Sequence, residues 1–270
     1  MRTNDSTKVS AIKGFFYPYK GLKFLFSNPR LISFVAIPVA INALLYSFLI
    51  WYTQSKISGW IESLIPTGDA WYWAILYYVF IILMGAIILV MVFYTFTLVG
   101  NFILAPFNEI ISERVELIYS GSGLAEHSFS LGDFFGDMVR SYKAEGGRLL
   151  LYLGGFLLLL LFNLLPGIGT VIYGVVVTVY SLFFLCWEFL DYPMERWRLT
   201  FRLKRSFAFK NMFVFIFFGA GSACLLIIPF INLAAIPVCV IGATLLFCDL
   251  KKSGRVPALL VGEESVEEEM

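Results

Sequence analysis

The chain has 270 residues, 59% of them hydrophobic and 14% charged, with a mean hydropathy of +0.82. Soluble domains balance roughly 45–50% apolar against about 25% charged residues, so this composition reads as an integral membrane protein and excludes a soluble globular domain. The formal net charge of +1 leaves no global basic surface for nucleic acid, and the single histidine, His127, leaves no His-rich metal site.

Residues 1–30 carry Arg2, Lys8, Lys13, Lys20, Lys23 and Arg30 among Phe15, Phe16, Tyr17, Tyr19, Phe24 and Phe26. That mixture predicts an interfacial segment with rings at headgroup depth and lysines in water, and it contains no cleavable signal. Leu31 to Tyr52 is uncharged and, at about 1.5 Å per residue, long enough to cross a core of about 30 Å, ending in the belt pair Trp51-Tyr52. After a short loop, Trp71 opens a second uncharged run to Asn108, longer than a bilayer needs. Its excess either projects beyond the membrane or bends at Pro106. Polar residues then run to Arg148, with a turn expected at Gly121-Ser-Gly123 between an amphipathic continuation and a second interfacial helix.

Two broken apolar runs follow. In the first, Leu149 to Phe162 and Val171 to Trp187 flank Asn163-Leu-Leu-Pro-Gly-Ile-Gly-Thr170; as helices these arms reach only about 21 and 25 Å. In the second, Met212 to Ile228 and Leu233 to Phe247 flank Pro229-Phe-Ile-Asn232. The arm lengths predict re-entrant hairpins that stop inside the bilayer, permissible where other segments shield the backbone. Nineteen of the 20 Lys and Arg residues then share one side, which the positive-inside rule makes cytoplasmic together with both termini. The same charge count fits six full spans. The expected fold is an all-α integral membrane protein with two long transmembrane helices, two half-penetrating hairpins and interfacial amphipathic helices. It forms one membrane domain over 1–250, and 251–270 is a polar, acidic, disordered tail.

Several stretches together resemble the CysZ sulfate-permease family, which is related to the etoposide-induced membrane proteins. They are Asn101-Phe-Ile-Leu-Ala-Pro-Phe-Asn108, Leu165-Pro-Gly-Ile-Gly169, Asp191-Tyr-Pro193, Ile228-Pro-Phe-Ile-Asn-Leu-Ala-Ala-Ile-Pro237 and Gly242-Ala-Thr244. The resemblance implies a helical inner-membrane protein of the same hairpin design, assembled as a homo-oligomer, that takes up sulfate for cysteine synthesis. It also places the anion site at the start of the first long helix, where the family has a Pro-Gly turn before two arginines. Here that stretch is Ser27-Asn-Pro-Arg-Leu-Ile-Ser-Phe34, so Pro29 matches, Arg30 replaces the glycine, and Ile32 and Ser33 replace the arginines.

The residues themselves support a reduced anion site at Asn28, Pro29, Arg30 and Leu31. Ser27 or Asn28 can cap, Pro29 suits the first helical position, and the N–H groups and dipole that follow attract an anion, with Arg30 as a bidentate donor. An ordinary capped helix with a snorkelling arginine is the alternative. Pro106, Phe107 and Asn108 read either as a kink or as a gate, and Asn163, Pro166, Gly167 and Asn232 either as hairpin-tip structure or as pathway lining. Small residues Gly219 to Ala223 predict a close helix approach. Phosphate loops, nucleophile elbows and zinc helices are missing from the sequence, so no enzyme and no cofactor are expected. The competing function is a membrane scaffold whose aromatic N-terminal segment acts on lipids.

Overall fold

The computed structural model describes residues 10–37, 40–41, 43–45, 47–48, 51, 71–121, 131–164, 167–228 and 232–256. Every regular element among them is helical. A 3-10 turn (Ile12–Phe16) leads into α1 (Tyr17–Ser27), and α2 starts at 29 and is helical through 37. There follow α3 (Trp71–Ser120), α4 (Leu131–Leu160), a 3-10 turn (Leu161–Leu164), α5 (Gly169–Arg196), α6 (Phe201–Lys210), α7 (Met212–Leu226) and α8 (Asn232–Lys252). The chain divides into two compact units, 33–107 and the remainder. The first holds most of α2 and the apolar part of α3; Tyr78, Ile82 and Leu83 there are more than half exposed. Residues 1–32 with 108–270 form the second, which contains every polar cluster described below.

In that second unit α8 is the central helix. It is apolar over most of its surface, and most residues from Val238 to Leu250 are buried, the arrangement expected of a helix enclosed by others. α1 lies on it because Tyr17, Gly21 and Leu25 recur every four residues and form one buried stripe, while Lys20, Lys23 and Phe26 point away. The backbones come very close where Gly21 meets Gly242: a methyl group on Gly21 would lie 2.5 Å from the Val238 carbonyl, and one on Gly242 would lie 2.6 Å from that of Tyr17. α5 and α7 close the other sides. As predicted for the small-residue run, a side chain at Gly219 would collide with the Leu182 backbone, and one at Gly221 with that of Phe15. Phe183, Phe207, Phe215, Phe218, Phe247 and Trp187 fill the remaining space, with Phe183 and Phe215 rings 5.5 Å apart.

α4 presents the opposite case. None of its spanning window, Glu145–Asn163, is buried, and Leu150, Leu157 and Leu158 are each more than 60% exposed. Such a surface belongs against hydrocarbon. The described residues contain three helices long and apolar enough to cross a membrane, or four if the pair α6–α7 counts as one span, although those two meet at 86°. The protein is therefore a helical membrane protein.

α3 is helical from Trp71 to Ser120, so Pro106 does not end the helix. One expectation from segment lengths changes. The arms beside the first turn, expected at about 21 and 25 Å, belong to helices of 30 and 28 residues, because charged positions such as Arg148, Glu188 and Asp191 remain helical. At the turn itself Gly167 has φ +80°, a left-handed conformation that glycine adopts freely. Pro166 lies outside the described residues, as do His127 and the tail from 257 onward.

Candidate functional site

The polar core is built from one face of α3. Asn108, Ser112, Glu116 and Ser120 follow at four-residue intervals, which aligns them along a single stripe. Glu116, only 2% exposed, accepts hydrogen bonds from Arg196 Nε (3.0 Å) and Nη2 and from Trp197 Nε1 (2.7 Å). Arg196 Nη1 donates to Ser112 Oγ at 3.3 Å. Ser112 and Thr244 hydroxyls are 2.9 Å apart, and Thr244 spends its one proton on the Val240 carbonyl, so Ser112 is the donor between them. The result is a directed chain, Arg196 to Ser112 to Thr244 to the α8 backbone, tying α3, α5 and α8 together. Arg196 thus has a carboxylate on one side and a hydroxyl on the other, which makes this core a neutral lock between helices.

Two further clusters flank it. Lys204, 2% exposed, donates to Asp191 Oδ1 at 2.7 Å and to Glu195, joining α6 to α5. At the end of α8, Asp249 accepts from Tyr17 at 2.6 Å and Tyr119 at 2.8 Å. Lys20, Lys251 and Lys252 stand over the rings of Tyr17, Trp197 and Tyr119 at 4.2, 3.7 and 4.5 Å. Burial first, and the Asp249 hydrogen bond second, push the Tyr17 hydroxyl up and that of Tyr119 up to about 12. Both therefore remain protonated donors across physiological pH.

The residues singled out in the sequence occupy separate places. Ser27 and Asn28 bond backward: Ser27 Oγ donates to the Lys23 carbonyl at 3.0 Å and Asn28 Nδ2 to that of Phe24 at 2.8 Å, closing the end of α1. Pro29 and Arg30 are exposed in the first turn of α2, and Leu31 is buried, its N–H bonded to the Asn28 carbonyl at 2.9 Å. Phe107 is half-buried. Asn108 is buried, and its Nδ2 donates to the Tyr192 hydroxyl of α5 at 3.3 Å, while its buried Oδ1 has no partner among the described residues. Asn163 is exposed at the end of the 3-10 turn, and Asn232 is the first residue of α8.

Sequence reading missed the Glu116 core altogether. Its partners lie 80 to 132 residues apart, and the only local signal is the four-residue spacing from Asn108 to Ser120.

Comparison with known proteins gives a consistent result. The family described as sulfate transporter CysZ/etoposide-induced protein 2.4 matches residues 17–237. The sulfate transporter CysZ of Pseudomonas paraeruginosa is 31% identical over 237 residues, covering 88% of this chain and 95% of that protein. Its counterpart in Pseudomonas aeruginosa is 30% identical with the same coverage. The protein of that name from Pectobacterium atrosepticum is 29% identical over 235 residues, covering 85% and 84%. All of these relatives are named as transporters, not enzymes.

Proposed function

Because this chain belongs to the sulfate transporter CysZ/etoposide-induced protein 2.4 family, we propose that it carries sulfate, or an inorganic anion of like charge, across the cell inner membrane in support of sulfate uptake. The observation that carries this reading is the match to proteins named as sulfate transporters, running from α1 into α8. In this reading the anion sits at the start of α2, at Asn28, Pro29, Arg30 and Leu31; the Leu31 N–H is already bonded to the Asn28 carbonyl, so the contact is made chiefly by Arg30. With Arg196 committed to Glu116, and with Ile32 and Ser33 where the family's two arginines fall, exposed Arg30 is the cation that meets the anion, helped by the positive end of α2. Pro106, Phe107 and Asn108 wall the pathway.

In this reading α2 and α3 are the two long spans, the α4–α5 and α7–α8 pairs are half-penetrating hairpins, and both termini are cytoplasmic in a homo-oligomer. The 15 residues of α7, about 22 Å, and its 86° break from α6 support a helix that does not cross. A cysteine placed at exposed Thr170, in a background lacking the exposed Cys224, is expected to resist an impermeant thiol reagent applied from outside. Ready labelling there would turn the Gly167 turn into an external loop and restore six spans.

Transport is tested with purified protein in liposomes. Sulfate flux above that of empty vesicles is expected, reduced about tenfold in Arg30→Ala by loss of one charge-assisted contact. Flux equal to empty vesicles across several anions would sink the reading. It would favour instead a scaffold that acts on lipid through the exposed rings of Phe16 and Phe26, 54% and 68% accessible.

A further inference from the structure

Between α4 and α5, a cleft of about 310 Å³ is lined by Glu145, Arg148, Tyr152, Ser181, Phe184 and Glu188, with Leu149 and Leu185 alongside. It takes no part in the anion pathway proposed above. Its charges are arranged unevenly. Arg148 gives Nη2 to Glu145 at 2.5 Å, but its Nη1 is buried and has no partner among the described residues. Glu188 is exposed at the other side of the cleft, and Ser181 beside it is exposed too. The site therefore offers one unused cationic donor and one carboxylate able to accept from a cation. Tyr152 and Phe184, rings 5.1 Å apart, form an aromatic wall.

The position is as informative as the charges. Arg148 is the last charged residue before the uncovered leucines of α4, and Leu149, Leu150 and Leu153 next to it are 53%, 73% and 45% exposed. A charged cleft at the edge of a hydrocarbon-facing helix sits at headgroup depth, where acyl chains can lie along the leucines. A lipid whose only headgroup charge is its phosphate would satisfy Arg148 but give Glu188 no cation. A zwitterion satisfies both. A buried donor without a partner is costly, which favours an occupant that supplies an acceptor.

We propose that this cleft binds the headgroup of a zwitterionic aminophospholipid, phosphatidylethanolamine in chemical class, with its phosphate on Arg148 Nη1 and its ammonium on Glu188. Ethanolamine suits the site better than choline because its three N–H donors can hydrogen-bond the Glu188 carboxylate, whereas a quaternary ammonium cannot.

The test is native mass spectrometry of the full-length protein in detergent, titrated separately with phosphatidylethanolamine, phosphatidylcholine and phosphatidylglycerol of identical acyl chains. The wild-type protein is expected to retain the ethanolamine lipid about tenfold more strongly than either competitor. Arg148→Gln should lower that retention about tenfold, and Glu188→Gln should abolish the preference over phosphatidylglycerol. Thermal melting of both variants distinguishes loss of the site from loss of the fold. Equal retention of all three lipids by the wild-type protein overturns the proposal, as does better retention of the choline lipid or unchanged retention in a folded Arg148→Gln variant. No arm of the experiment reads anion flux, so this proposal and the transport reading stand or fall separately.

Discussion

Glu116→Ala is expected to destabilise the protein by about 3–5 kcal/mol, the range for breaking a buried ion pair by removing one partner. Three donors depend on that carboxylate: Arg196 Nε, Arg196 Nη2 and Trp197 Nε1. Without it a guanidinium is left in the core with only the Ser112 hydroxyl for company. Chemical unfolding in detergent measures the loss. Pairing Glu116→Gln with Arg196→Met should recover much of it, because the uncompensated charge is then gone. A Glu116→Ala variant that melts with the wild-type protein would show that the Glu116 contacts with Arg196 and Trp197 contribute nothing to stability.

The second large effect concerns backbone proximity. Gly242→Ala places a methyl group 2.6 Å from the Tyr17 carbonyl and 2.9 Å from Pro18 Cα, atoms of the main chain that cannot rotate aside. α1 must move off α8, which strains the Tyr17–Asp249 hydrogen bond as well. Overpacking of this kind costs about 1–3 kcal/mol or more. Gly154 supplies the contrast: nothing lies within 4 Å of a methyl group there, so Gly154→Ala should leave stability unchanged or raise it by up to about 1 kcal/mol through helix propensity. Thermal melting of the two alanine variants side by side checks the opposite signs.

Several of these features were legible in the sequence. Composition and uncharged runs identified a helical membrane protein, Gly219 to Ala223 announced a close helix contact, and Pro166-Gly167 marked the turn between α4 and α5. Other features were hidden for definite physical reasons. Charges were taken as helix limits, but Arg148 and Asp191 stay helical because each finds a partner, Glu145 in one case and Lys204 in the other. Asn28 carries the composition of a forward cap, yet its amide turns back to the Phe24 carbonyl; local chemistry permits both directions. The Asp249 cluster could not be read at all, since Tyr17 reaches it across 232 residues. Asp249 by itself signals only a helix foot.

That separation also governs how the molecule is made. α1 leaves the ribosome well before α8, the helix that covers its Tyr17, Gly21 and Leu25 stripe. At about 5–20 residues per second, α1 waits roughly ten to fifty seconds for α8. During that interval its apolar stripe has only the bilayer surface or a chaperone to rest on, and its lysines hold it at the headgroups. α1 can therefore reach its native packing only once α8 has been made, and a truncation that removes α8 leaves the Tyr17, Gly21 and Leu25 stripe uncovered.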